Sequence, residues 1–222
     1  MTILDAVLAF ALLAGLLTLV PGLDTALVLR SSLTRTRPCA WATAAGVATG
    51  AMVWGVAAAV GVSALLTASE VAYRALTVAG AAYMLWLGGS MIVRSVRHGR
   101  SLPQQLDDQL PPAPSSAWRG WLVGAGTNLL NPKVGVFSIA TIPQFLPAGV
   151  PPLLMGAILA GVHAALTMTW FSVLIVGGRA ARRWLSSPRS LRIVDRVTGV
   201  VLLGFGGTLA VESVTGGAPT VR

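Results

Sequence analysis

Asp24 sits three residues beyond Pro21 in an apolar run that extends from Ile3 to Leu29. An unpaired carboxylate at bilayer depth costs about 3 kcal/mol on insertion scales, so an acid there is read first as a functional group. A second polar interruption, Asn128 followed by Asn131-Pro132-Lys133, lies inside another apolar run that later reaches Pro143-Gln144. One acid, a set of uncharged amides and one ammonium are the groups that suit a zwitterion: the acid takes an ammonium, while the lysine and amides address a carboxylate. Plainer roles compete with each. Pro21 and Gly22 could form a structural kink, and Asp24 could pair with Lys133 or an arginine for structure alone. Lys133, the only lysine in the chain, could snorkel to an interface, and Asn128, Asn131 and Gln144 could join helices by hydrogen bonds. Desolvation favours the neutral acid and a nearby cation favours the carboxylate, so Asp24 stands either as a proton exchanger or as a substrate or gating contact.

The elements that must position these groups are membrane spans. The run around Asp24 would make one helix of about 40 Å, whereas a hydrocarbon core of roughly 30 Å needs about 20 residues. Pro21 removes a backbone donor and Gly22 frees the chain beside it, so this helix is expected to open partway across. Six apolar stretches are long enough to cross: 3–29, 40–66, 71–93, 118–146, 150–177 and 193–213. Hydrophobic residues make up 55% of the 222 and charged residues 10%, with a mean hydropathy of +0.76, the composition of a polytopic membrane protein. The net charge of +9 does not imply nucleic acid, because the basic residues sit in the short gaps between apolar runs. Arg30, Arg35 and Arg37 follow the first run; Arg94, Arg97, Arg100 and Arg119 flank the third gap; Arg179, Arg182, Arg183, Arg189, Arg192 and Arg196 flank the fifth. The positive-inside rule makes these gaps cytoplasmic and puts both termini outside. The start of the chain lacks the positive n-region of a signal peptide, so the first run is counted as structural. Cys39 is the single cysteine, which excludes an internal disulfide, a CxxC pair and a thiolate metal cluster.

Residues 94–117, with Asp107, Asp108, Pro103, Pro111, Pro112 and Pro114, read as a proline-stiffened cytoplasmic linker. It divides a single transporter domain into halves of three spans, 3–93 and 118–213, and an odd number per half makes any similarity an inverted repeat. The expected fold is therefore an all-α membrane protein with six transmembrane helices in two inverted three-helix repeats, helices 1 and 4 being broken. Interrupted helices at matching places point to a midplane site, where helix-end carbonyls and N–H groups bind ions or zwitterions. The small-residue spacings Gly46-xxx-Gly50, Ala51-xxx-Gly55, Gly120-xxx-Gly124 and Gly156-xxx-Ala160 read as helix-packing seams that also permit a homodimer. His163, with no acid or cysteine within helical reach, reads as a packed histidine and not as a ligand or relay. HExxH, Walker A and GxSxG patterns are lacking, which argues against an enzyme and against nucleotide-driven transport. The energy must come from an ion gradient or from the membrane potential, which supplies about 2.3 kcal/mol per charge per 100 mV.

Pro21-Gly22-Leu23-Asp24, Gly46-xxx-Gly50, Gly80-Ala81-Ala82-Tyr83-Met84-Leu85-Trp86-Leu87-Gly88, and Asn131-Pro132-Lys133 leading to Phe137 and Pro143-Gln144-Phe145 together resemble the lysine and threonine exporter (LysE/RhtB) family over the whole length. The resemblance implies a six-segment exporter of amino acids or their derivatives in the bacterial cytoplasmic (inner) membrane, driven by proton antiport. The family's first motif is PGP followed by Asn or Asp, which Pro21, Gly22 and Asp24 match and Leu23 does not. Its NPK motif falls on Asn131, Pro132 and Lys133. The site expected from these residues comprises Pro21, Gly22, Asp24, Asn128, Asn131, Pro132, Lys133 and Gln144, with Asp24 carrying the proton. The expected partners are an amino-acid substrate, protons and the lipid bilayer, without nucleic acid, cofactor or bound metal. The alternative is a metal-ion exporter or a passive small-solute channel, which the scarcity of clustered metal-ligating residues disfavours.

Overall fold

The computed structural model describes residues 1–97, 110–111 and 114–215, and all its regular structure is helical. The first helix, α1 (Ile3–Leu19), opens with a capping box: Thr2 Oγ1 accepts from the Asp5 N–H, and Asp5 Oδ2 accepts from the Thr2 N–H. It ends at Val20. After Pro21 and Gly22 the chain resumes as α2 (Leu23–Thr34), and the two axes meet at 59°. Leu23 occupies the first helical position, where a proline would also fit because its missing N–H is not used there. The departure from the PGP pattern therefore leaves the break intact.

The next helices, α3 (Arg37–Ala68) and α4 (Glu70–Arg97), are joined by Ser69 alone, whose Oγ accepts from the Ala72 N–H at 3.2 Å. Two short helices follow, α5 (Ala117–Leu129) and α6 (Pro132–Thr141), separated by Leu130 and Asn131 and followed by a 3₁₀ turn at Ile142–Phe145. The chain ends in α7 (Pro152–Leu185) and α8 (Pro188–Thr215). Four helices, α3, α4, α7 and α8, are long and apolar enough to cross a membrane, and the bent pair α1 and α2 makes a fifth candidate span. The helices run past the apolar stretches that mark them, as with Arg179, Arg182 and Arg183 in α7, because a helix satisfies its own backbone whether lipid or water surrounds it. Within α7, Gly178 takes φ +45°, a left-handed conformation that glycine adopts without penalty, and the helix is kinked there. Of the expected linker, Pro111 and Pro114 are described: their carbonyls accept from Arg30 (3.4 Å) and the Cys39 thiol (3.6 Å). Arg100, Pro103, Asp107, Asp108 and Pro112 lie outside the described residues.

The small-residue spacings are seams. A Cβ at Gly46 or Gly124 would collide with the Trp121 or Thr43 carbonyl across the α3–α5 contact, and one at Gly156 would strike Ala59 Cβ across α3–α7. Helices surrounded by lipid gain nothing from hydrophobic exclusion between themselves, so backbone proximity of this kind supplies their cohesion through dispersion. The α4–α8 pair crosses in the same way: a Cβ at Gly88 would lie 2.8 Å from the Gly199 carbonyl, and one at Gly199 would lie 2.9 Å from that of Gly88. Phe10, Phe137, Phe145, Met155, Leu159 and Leu202 fill the space between α1, α6, α7 and α8, with Phe145 stacked on Phe205 at 5.1 Å.

These contacts separate two neighbouring glycines. Gly88→Ala should lower the thermal midpoint of the detergent-solubilised chain, at a cost of about 1–3 kcal/mol for overpacking. Gly89→Ala, whose Cβ would meet nothing within 4 Å, should leave the midpoint unchanged or raise it through helix propensity. Equal midpoints for the two variants would refute the seam.

Candidate functional site

The two interruptions meet. Asp24, in the first turn of α2, accepts through one oxygen, Oδ2, from Asn128 Nδ2 at 2.9 Å and Asn131 Nδ2 at 3.0 Å, and all three residues are buried. Asn131 holds its place twice over. It is the N-cap of α6, where its Oδ1 accepts from the Lys133 N–H at 3.1 Å, so its amide nitrogen is turned toward α2. Asn128 is held by packing: a Cβ at Gly50 would come within 2.7 Å of its Oδ1. Asp24 Oδ1 and Asn128 Oδ1 are buried with no hydrogen-bond partner among the described residues.

Lys133 reaches the other side of the same break. Its Nζ donates to the carbonyls of Leu17 (3.0 Å) and Val20 (3.1 Å), the last turn and C-cap of α1. The Leu17 carbonyl also accepts from the Val20 N–H at 3.2 Å, and the two carbonyls, where the helix stops, form the negative end of its dipole. Among the described residues the hydrogen-bond partners of Asp24 are amides and those of the lysine ammonium are carbonyls, so the acid and the base act on each other through the field and not by a direct bond.

A cavity of about 40 Å³ lies at this junction, room for about three water molecules. Of the residues that the sequence singles out, Gly22, Asp24, Asn128, Asn131 and Lys133 line it. Pro21 and Pro132 shape the two breaks without lining it, Pro132 being the exposed first residue of α6. Gln144 is not brought to the cavity; it stands in the 3₁₀ turn and donates to the Ala140 carbonyl at 3.5 Å. His163 is packed edge-on against Phe10 (6.4 Å) and Phe137 (5.9 Å), in keeping with a packed histidine, yet it also borders the cavity.

The site expected from the sequence leaves out several wall residues: Thr18, Thr25 and Thr167, with Leu17, Val20, Val47, Val134 and Phe171 as the apolar part. It also leaves out Asp195, a buried acid on α8 within electrostatic reach of Lys133. Its position beside Arg196 made it look like the edge of a basic gap. Among the described residues no three of His, Cys, Asp and Glu come together as a metal site.

The family profile of the LysE type translocators matches residues 16–213, which takes in both interruptions. The chain belongs to that family. It is thus a membrane translocator. It is similar to an uncharacterized membrane protein, YrhP, of Bacillus subtilis, with 26% identity over 91% of the chain and 97% of the relative. It is also similar to the leucine efflux protein of Klebsiella pneumoniae, at 29% identity over 89% of the chain and 91% of the relative. The homoserine/homoserine lactone efflux protein of Salmonella typhi is 27% identical over 91% of the chain and 94% of its own length. No solved structure gives a significant match.

The translocator's two uses of Asn131 are separable. Asn131→Ala removes both the α6 cap and a donor to Asp24, and it should destabilise by about 2–4 kcal/mol, from a lost cap of about 1 kcal/mol and an unmade bond to a buried charge. Asn131→Ser keeps a capping oxygen, too short to reach Asp24, and should recover about 1 kcal/mol of that loss in thermal or denaturant unfolding. Identical losses for the two variants would remove the cap from the account.

Proposed function

We propose that this translocator exports a neutral amino acid or a close derivative from the cytoplasm in exchange for protons. The observation that carries the reading is the pair of buried acceptors without partners, Asp24 Oδ1 and Asn128 Oδ1, in the wall of one cavity. A substrate ammonium brings the donors that this pair lacks, and a proton on Asp24 satisfies one of the two in its absence. Substrate and proton then occupy Asp24 in turn, which is the exchange an antiporter needs. Lys133 spends two of its three N–H donors on α1 carbonyls, and the third, with its charge, addresses the substrate carboxylate. Among the described residues Asp24 is the one acid in the cavity wall. Once it has taken the α-ammonium nothing balances a second cation, so the side chain is neutral and meets Leu17, Val20, Val47, Val134 and Phe171. The relatives named for leucine and for homoserine efflux are consistent with such a range.

On this reading α5 and α6, of 13 and 10 residues, form the sixth span as a broken helix. The spans then fall into two inverted halves, 3–93 and 118–213, around the linker 94–117, as one transporter domain. The pairing of helices supports it: α3 packs against both α5 and α6, and α7 against both α1 and α2, the α3–α5 contact being the most extensive of the four. The arginine-rich gaps support a linker in the cytoplasm of a bacterium and both termini outside the inner membrane.

The test is efflux from proteoliposomes loaded with labelled leucine, homoserine or lysine under an imposed pH gradient. Gradient-dependent efflux of the neutral amino acids over lysine is expected, falling roughly 100-fold or more in Asp24→Asn, as for a buried charge contact worth about 3 kcal/mol. Full efflux by Asp24→Asn, or none of any amino acid by the unaltered chain, would overturn the assignment.

A further inference from the structure

The carbonyl ends of half-helices inside a membrane are where many secondary transporters coordinate a sodium ion. Here that position is filled. The C-terminal turn of α1 presents the Leu17 and Val20 carbonyls, and the ammonium of Lys133 lies 3.0 and 3.1 Å from them. The Leu16 carbonyl, one residue earlier, accepts from Thr198 of α8 at 3.4 Å, so the α1 terminus is enclosed on both sides. Asp24 stands across the break, at the first turn of α2.

We infer that Lys133 is a built-in cation, its ammonium occupying a monovalent-cation cradle formed by the Leu17 and Val20 carbonyls at the break in the first span. The consequence is a transporter that needs no sodium, and a latent sodium site that opens when the ammonium is removed.

The local charges favour this. Asp24, Arg94 and Asp195 are the groups whose fields act on Lys133. With Asp24 deprotonated and the lysine present, two acids face two bases. Without it one negative charge is in excess, beside two carbonyls that have lost the ammonium, of which Leu17 keeps the Val20 N–H. A small cation entering from the cavity, whose wall includes Leu17, Val20 and Asp24, restores both the charge and the coordination. Choline, whose quaternary nitrogen has no N–H and is too wide for a two-carbonyl cradle, does neither.

The inference rests on the transport reading only for its functional consequence; the cation cradle can be tested without substrate. The full chain, Lys133→Ala and Lys133→Gln are purified in detergent, and thermal midpoints are followed while sodium or methylammonium replaces choline at constant ionic strength. The expected result is a saturable rise in midpoint for Lys133→Ala with sodium and with methylammonium, and no difference among the three salts for the unaltered chain. Lys133→Gln keeps donors for the carbonyls without the charge, and should show a smaller rise. In proteoliposomes, Lys133→Ala should export about tenfold less or lower in choline and regain part of that loss in sodium or methylammonium.

A folded Lys133→Ala whose midpoint is the same in all three salts would overturn the inference, as would a sodium requirement in the unaltered chain. If neither variant folds in any of the salts, no free cation replaces the ammonium and the inference also falls. Should the midpoints respond while the unaltered chain exports no amino acid, the cradle stands and the transport assignment fails.

Discussion

A helix opened within a bilayer leaves carbonyls at the end of one half and N–H groups at the start of the next, with neither water nor lipid to satisfy them. In this chain each break is completed by the other. The α1 end receives the Lys133 ammonium, and the Asn128 and Asn131 amides beside the α5–α6 break find Asp24 at the start of α2. The signs are right for the helix dipoles: a cation at a C-terminus and an anion at an N-terminus. An arrangement of this kind is all or nothing, because withdrawing one partner strands a buried charge or an unpaired carbonyl on the opposite helix.

That exchange of bonds is possible only because the surrounding helices come unusually close. Asn128 reaches Asp24 from a helix face that touches α3 at Gly46 and Gly50, where a methyl group would displace the backbone of α5 or the amide itself. On the far side of α3 the seam of Gly55, Ala59, Gly156 and Ala160 brings in α7, which supplies His163, Thr167 and Phe171 to the cavity. The small residues are thus not a binding site, but they set the distances at which the binding groups work. The α4–α8 crossing at Gly88 and Gly199 does the same for the charged groups behind Lys133, and Arg196 of α8 donates to Ser95 of α4 at 3.4 Å.

What could be read from the sequence follows from this physics. A proline, a glycine and an acid inside an apolar run are costly, so Pro21, Gly22 and Asp24 announced themselves, and Asn131-Pro132-Lys133 did so for the same reason. The glycine seams were legible because their spacing is that of one helix face. The partner of Lys133 was not legible: backbone carbonyls carry no sequence signature, and which of them lack a donor depends on where the helix ends. The threonines at 25 and 167 were hidden because a helix that is apolar on all sides gives no period to say which face turns inward. Asp195 was hidden by its basic neighbours, and Gln144 looked like a site residue because a polar side chain in such a run draws attention even when it only braces a turn.

The size of the cavity bears on how transport is coupled to substrate. A space of about 40 Å³ holds a few waters, so a zwitterion enters only if the walls separate and bonds across the two breaks are given up. An apolar solute of the same size offers nothing in return, and opening for it would leave Asp24 and the α1 carbonyls exposed to a poorly solvated interior. An amino acid carries both signs: on the proposed function its ammonium replaces the donors at Asp24, and its carboxylate accepts from Lys133 as that lysine loosens from α1. In the same proposal a proton on Asp24 relieves the acid alone and suits the compact form, with the walls closed on an emptied site. On the proposed exchange, selectivity for zwitterions and the obligation to swap substrate for proton have one origin, the need to keep two interrupted helices satisfied at every stage of the cycle.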